Sequence, residues 1–399
     1  MTDLPMPFSV ADSQHPELAY ARTRHAGVRR ISIRPGLEPW LVSRLDEVRQ
    51  VLADPALSVD PASTTAAVRR AIGQGRAEER VALLGRNLLS VDPPDHSRLR
   101  AMLAGALSAR RMAAVAGTIA RSARQILDSV PLGRPVDLLA EVTLPLAVEV
   151  ICTLIGIPAE ARVLFRGWGQ AMVSAQLEAA EDFERVSDQM AGYLVPFILD
   201  RRAAGGDDLI GTLATARNED RLDDHELISL VYQLFFAGHE SSAYFMANAV
   251  LLLLSQPAQL AILRANPALL DRAIEEMLRL EGPVKVPTWR FALRPLTIGG
   301  VAIQPGEPVL ALLSAAGRDE TAHPDGDSFR IDRPDTGHLA FGYGIHHCMG
   351  AALARVEAKV FLAMLLSRFP DLRLATELDA LQWRVNLMMR GTCSLPVRF

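Results

Sequence analysis

The chain has 399 residues, 49% of them hydrophobic and 22% charged, which is ample material for a large buried core. Its formal net charge of −4 gives none of the basic excess that nucleic acid or an anionic membrane surface would attract. Three cysteines, Cys152, Cys348 and Cys393, are an odd number spread far apart, which reads as a reducing compartment without a disulfide framework.

Met1 to Tyr20 carries charges and prolines but no apolar run, so neither a secretion signal nor a membrane anchor is expected. Val28 to Ile33 alternates like a short strand, and Trp40-Leu41-Val42 is placed to pair with it. Ser43 is expected to cap a helix whose Leu45, Val48, Val51 and Leu52 share a face. Ser58 to Ala77, rich in Ala, Thr, Ser and Gly, reads as a mobile loop. Asp92 and Pro93 then suit the cap and first position of a helix that carries His96 and Arg100 on one side. That pair suits an anion, although a solvated helix face has the same pattern.

From Ser108 to Leu230 the pattern is mostly helical. It includes helices near Phe165–Ala175 and Phe183–Ala203 joined by a polar link, Gln176 to Asp182. Leu227 to Leu254 reads as one long helix; its apolar run Phe245–Leu254, interrupted by Asn248, is too short to span a bilayer and marks a buried segment. A soluble, cytoplasmic protein is therefore expected. Gly238 lies in the interior of that helix, where glycine costs about 1 kcal/mol relative to alanine. Two reasons could keep it: a bare patch for a small polar ligand beside Glu240 and Ser241, or a helix crossing that needs small residues. Glu276 and Arg279 pair at one-turn spacing, usually a minor surface interaction. Pro283 to Arg290 is extended, and Ile298 to Val309 reads as a hairpin.

The stretch Phe341-Gly342-Tyr343-Gly344-Ile345-His346-His347-Cys348-Met349-Gly350 is unlike the rest, and an apolar helical pattern follows it directly. Glycines let the backbone approach something flat. A cysteine just ahead of a helix is where amides and the helix dipole favour a thiolate. A flat object against a thiolate suggests haem. A buried structural cysteine is the plain alternative. A zinc site from His338, His346, His347 and Cys348 lacks a second cysteine pair or a spaced histidine pair.

The stretch resembles Phe-Gly-x-Gly-x-His-x-Cys-x-Gly, the haem-ligand loop of the cytochrome P450 family. The resemblance extends over nearly the whole chain, through the segments of His96 and Arg100, Ala237 to Ser242, and Glu276 to Arg279. It implies a mainly α, cytochrome P450 fold in one domain over residues 1–399, with β structure at about 1–60 and 284–310. It also implies haem b with Cys348 as iron ligand and Phe341 packed near it, in a loop that includes Gly342 and Gly350. His96, Arg100, Arg290 and His346 would bind the propionates. Ala237 and Gly238 would border bound O2, and Glu240 with Ser241 would relay protons. Glu276 and Arg279, with Arg333, would form a structural network.

Gln233, Phe236, Ala237, Val286, Thr288, Leu387 and Met388 would line the substrate pocket, under a lid formed by the two helices before residue 204. The implied activity is a monooxygenase of secondary metabolism. It would act as a monomer on a medium-sized hydrophobic molecule, with electrons from a separate ferredoxin and ferredoxin reductase and no nucleic-acid or membrane partner. A peroxide-fed enzyme or isomerase and a non-catalytic haem binder are the rival classes; the Glu240–Ser241 pair argues against the former, and the open pocket and lack of an output domain against the latter. Arg110, Arg111, Arg355 and Lys359 could form a basic patch for an acidic ferredoxin. Three departures from the family pattern stand out: Ser241 replaces the usual threonine, Gly317 the usual asparagine, and Arg330 the frequent Asp after Phe329.

Overall fold

The architecture is built around one helix, Asp224–Ser255. The sequence pattern starts it three residues late, at Leu227, because the start is set by polar residues. Asp223 accepts a bond from the Glu226 amide at 2.7 Å, and the Glu226 carboxylate accepts one from the Asp223 amide at 3.2 Å, a complete capping box. From Ala243 to Leu253 every residue is buried, which is why that stretch is apolar on all sides. Helix Leu144–Ile155 crosses it closely, and the helices Ala109–Asp128, Leu270–Glu281 and Ala351–Arg368 complete one continuous core. The computed structural model describes residues 10–33, 35–72, 87–107, 109–178, 180–205, 209–215, 222–334 and 337–399. The side chains of 10–11, 105–106, 109–114, 172–178, 180–184 and 214–215 lie outside that description.

A five-stranded sheet flanks the helices in the order Arg29–Arg30, Trp40–Val42, Pro308–Ala311, Arg290–Ala292, Leu57–Ser58. The expected pairing of the first two strands is present, with Arg29 opposite Leu41 and Arg30 opposite Trp40. The hairpin Leu296–Ile298 to Val301–Ile303 also forms as expected. Near the chain end Trp383 and Thr392 bridge antiparallel, with the Arg384 amide on the Gly391 carbonyl at 3.0 Å and the Cys393 amide on the Gln382 carbonyl at 2.7 Å. Pro396–Arg398 is the middle strand between Val136–Asp137 and Arg373–Leu374, because the Leu395 amide is drawn to Asp137 Oδ1 at 2.9 Å.

Four local expectations need correction. Ser43 is not the cap of helix Leu45–Ala53; Arg44 holds that position, and the Leu45 amide donates to Asp319 Oδ2 at 2.8 Å. Asp92 does not cap the next helix, which begins at Asp95; its carboxylate accepts from the Ser58 hydroxyl and from the Val59 amide at 3.1 Å. The expected loop after Ser58 contains a helical turn, Pro61–Ser63, and a helix, Ala66–Ala71, capped by Thr65; residues 73–77 lie outside the described residues. The polar link is mostly helical, since the flanking helices run Arg162–Glu178 and Ala180–Ala204. Among the described residues, no single helix is long and apolar enough to cross a membrane.

Glu276, Arg279 and Arg333 form a buried network instead of a surface pair. Glu276 accepts from Arg279 at 2.7 and 2.8 Å and from Arg333 Nε at 3.0 Å. The two guanidiniums then hold the carbonyls of Gly317, Gly326, Ser328 and Pro324. Gly317 departs from the family pattern where the chain packs tightly, since a Cβ there would fall 2.4 Å from the Arg279 carbonyl oxygen. Removing one member strands the opposite charge in a site without water. Glu276→Gln is therefore expected to cost about 3–5 kcal/mol, measured as the shift in the urea or guanidinium unfolding midpoint.

Candidate active site

The cysteine loop is shaped by its backbone. Gly342 and Gly344 adopt φ of +72° and +74°, and a Cβ on Gly344 would also lie 2.7 Å from the Leu52 carbonyl oxygen. The loop closes with the Cys348 amide donating to the Phe341 carbonyl at 2.8 Å. Cys348 stands just ahead of helix Ala351–Arg368 and is accessible from the cleft side. Protein crowding raises its thiol pKa, while the Gly350 and Ala351 amides and the charges of Arg100 and Arg355 pull it down. A Cβ at Gly350 would make ordinary contact with the sulfur at 3.8 Å, so its glycine is not demanded by that atom. Phe341 lies beneath the Arg355 guanidinium, 4.5 Å from ring centre to Cζ. The zinc alternative fails: among the described residues no three potential ligands gather.

A cationic group of residues borders this loop. The rings of His96 and His346 lie against each other, tilted by 54°, with centres 4.2 Å apart. His96 Nε2 and His346 Nδ1 are both buried and without hydrogen-bond partners. Burial first, and then Arg290, His96 and Arg100, press His346 down to about 3, so it is neutral near pH 7. Burial and Arg100 likewise lower His96. Arg290, buried, is lowered to about 10 by desolvation and donates to Thr288 Oγ1 at 2.8 Å. Two arginines and two orphaned imidazole nitrogens in one place suit a ligand with two carboxylates. The propionates of a haem fit this donor set, and the cysteine loop fits its iron.

The central helix supplies the other half of the site. Ala237 is exposed although it lies near the helix middle, and Ser241, one turn on, donates its hydroxyl to the Ala237 carbonyl at 2.7 Å. Gly238 has a packing reason: a Cβ would come within 2.7 Å of Ile151 Cδ1. The small-residue crossing is thus one sufficient reason for that glycine. Glu240 is buried and receives Arg384 Nη1 at 3.1 Å; the same nitrogen donates to the Tyr244 hydroxyl. His239 is buried with Nδ1 on the Phe235 carbonyl at 2.8 Å, and desolvation takes it down to about 4.

Two residues escaped the sequence reading. Arg384 carries no local signal, because its partner lies 144 positions away. Glu357 sits on the buried side of the cysteine helix, where the Ser242 hydroxyl donates to it; desolvation raises it to about 7. An acid in an otherwise apolar helical stripe was the available clue.

The predicted pocket residues divide. Gln233 and Phe236 are half-buried on the central helix, and the Gln233 amide oxygen is buried without a partner. Met388 is exposed and Leu387 half-buried on the loop from Trp383 to Thr392, which a bridge between those two residues closes. Val286 is fully buried in a cluster with Leu41 and Leu310, against which Leu387 packs. The Thr288 hydroxyl is committed to Arg290 and is not a free handle. The basic patch is corrected as well. Arg355 is held by both Glu275 oxygens at 2.6 and 2.8 Å and Lys359 by Asp271 at 2.8 Å, while the side chains of Arg110 and Arg111 lie outside the described residues.

Comparison with known proteins agrees with this geometry. The family model described as Cytochrome P450 matches residues 175–378. Cytochrome P450 107B1 of Saccharopolyspora erythraea is 41% identical, over 98% of this chain and 96% of that protein. The mycinamicin IV hydroxylase/epoxidase of Micromonospora griseorubida is 38% identical, over 92% of this chain and 91% of that protein. The tirandamycin C-bound structure of the P450 monooxygenase TamI superposes with a TM-score of 0.89 at 37% identity, covering 98% of both chains. A mainly helical fold, a cysteine loop at the head of a helix and relatives that match almost end to end leave one assignment: this chain belongs to the cytochrome P450 family and is a P450 monooxygenase.

Proposed function

We propose that the protein inserts one oxygen atom from O2 into a medium-sized hydrophobic small molecule, by hydroxylation or epoxidation, with electrons from a separate ferredoxin and its reductase. The observation that carries this reading is the cysteine at the amides of Gly350 and Ala351 beside the cluster of Arg100, Arg290, His96 and His346, whose His96 Nε2 and His346 Nδ1 have no partner within the protein. Haem b ligated by Cys348 would supply O2 binding, its reduction and the transfer of one oxygen atom to the substrate. His96, Arg100, Arg290 and His346 would anchor it by hydrogen bonds, with the two arginines as the charged partners.

Proton handling falls to this chain's own residues. The Ser241 proton is committed to the Ala237 carbonyl, which leaves its oxygen free to accept a bond from a water. Arg384 turns the Glu240 carboxylate toward the Trp383–Thr392 loop, so Glu240 serves the relay when that ion pair loosens. Glu357 holds a proton near neutral pH and is joined through Ser242 to the same helix. The presence of this acid–alcohol pair favours O2 chemistry over the peroxide-driven reading. The substrate class is supported by Phe236, Leu387 and Met388 with Gln233 as a single polar handle, and by relatives named for mycinamicin IV and tirandamycin C. Turnover with a surrogate ferredoxin system under isotopically labelled O2 tests it: one labelled atom in the product is expected, and label arriving only from peroxide would favour the alternative.

Cys348→Ser is expected to abolish the red-shifted Soret band that thiolate ligation gives the reduced, CO-bound form. A retained band would place the ligand elsewhere. Ser241→Ala should divert more NADPH electrons into hydrogen peroxide, whereas Ser241→Thr should keep or improve coupling, read as product and peroxide per NADPH. Glu357 also makes a pH prediction. The unfolded chain ionises it near 4.5, but the fold keeps it protonated to about 7. Its contribution to stability is therefore full below the lower value and is lost as pH rises through the upper one. Urea unfolding across this window should show wild type losing stability relative to Glu357→Gln as pH increases.

A further inference from the structure

Helix Leu270–Glu281 carries two adjacent carboxylates with different partners. Glu276 enters the buried arginine network, whereas Glu275 reaches helix Ala351–Arg368 and the approach to the cysteine loop. The Glu275 oxygens accept from Arg355 Nε and Nη2 at 2.6 and 2.8 Å, and Oε2 also meets His338 Nε2 at 3.1 Å. His338 Nδ1 accepts from the Ala340 amide at 3.2 Å, which makes Nε2 the donor to Glu275. Desolvation opposes the Glu275 charge, but the bonds from Arg355 and His338 outweigh it and hold the carboxyl down at about 2.

These contacts converge on the backbone that carries Cys348. Held at two nitrogens, the Arg355 guanidinium lies over the Phe341 ring, 4.5 Å from its centre. The Phe341 carbonyl in turn accepts the Cys348 amide at 2.8 Å. Burial raises the Cys348 thiol, and the Arg355 charge is among the influences that pull it back. A long side chain at a half-exposed position would otherwise swing toward water, and the effect of its charge falls with distance. One helical turn farther from the loop, Lys359 and Asp271 form a second, exposed pair at 2.8 Å. We propose that Glu275 is a positioning residue: it fixes the Arg355 cation against Phe341, and this placement makes a haem iron bound by Cys348 easier to reduce. The inference deepens the reading of Cys348 as the iron ligand and rests on it. A cation held near the sulfur stabilises negative charge there, and so favours the state with one more electron.

The test is potentiometric titration of the substrate-free, haem-loaded protein, with the reduced, CO-bound spectrum recorded for each variant. Arg355→Gln should lower the equilibrium constant for reduction by up to about tenfold, or about 59 mV for a one-electron couple. Glu275→Asp keeps the charge but is too short to hold both guanidinium nitrogens, so it should lower the potential in the same direction by less. Arg355→Lys should retain part of the wild-type value. Lys359→Gln removes the same charge one turn away and should stay close to wild type. A wild-type potential in Arg355→Gln or in Glu275→Asp would overturn the assignment. An equal drop in Lys359→Gln would overturn it too, by making the effect one of general surface charge. If wild type itself lacks the thiolate-type band, the ligand reading fails, and the positioning role falls with it.

Discussion

The site depends on how closely two helices approach. At Gly238 the central helix meets Ile151 with no room for a methyl group. Helix Arg162–Glu178 comes in from another side, where a Cβ on Gly169 would fall 3.2 Å from Val148 and 3.4 Å from the His239 ring. Held in this way, the central helix has little freedom to rotate about its axis. That fixes which side of it is open: Ala237 and Ser241, one turn apart, face accessible space, while His239 and Glu240 are turned into protein. A weak local propensity at one glycine thus sets the orientation of every side chain in the segment.

Buried charge is used in two ways. In the network of Glu276, Arg279 and Arg333 each guanidinium meets carboxylate or carbonyl oxygens from distant segments, and the result is a rigid meander between Gly317 and Arg333. Around His96, His346, Arg100 and Arg290 the donors converge with Asp92 as the nearby acid, and two imidazole nitrogens stay without a partner. The first arrangement is complete within the chain; in the proposed function the second is completed by the haem propionates. The contrast separates structural arginines from binding ones more reliably than their burial, since Arg279 and Arg290 are equally hidden.

Much of this was legible in the sequence, and the remainder was hidden for identifiable reasons. The cysteine loop, the long helix and the first strand pair are written in local patterns of glycine, apolar periodicity and alternation. Caps were misread at Ser43 and Asp92, because partners from afar, Asp319 in one case and Ser58 in the other, decide what those side chains do. Val286 and Thr288 were assigned to the pocket from position alone; what the fold adds is that Val286 packs with Leu41 and Leu310 and that the Thr288 hydroxyl accepts from Arg290. Arg384 and Glu357 were invisible because what marks them is a long-range partner and desolvation, neither of which a sequence window contains.

The loop from Trp383 to Thr392 is secured at both ends. Arg384 grips Glu240 and Tyr244, Arg390 holds Glu281 and the Ser13 carbonyl, and Asn248 of the central helix donates to the Arg390 carbonyl. Between those anchors Val385 and Met388 remain exposed. Such a tip can exchange its side chains over evolutionary time, or in a mutant library, while the anchors keep the backbone and the acid in place. Under the proposed function, substrate preference and proton handling are thereby separable within one short segment.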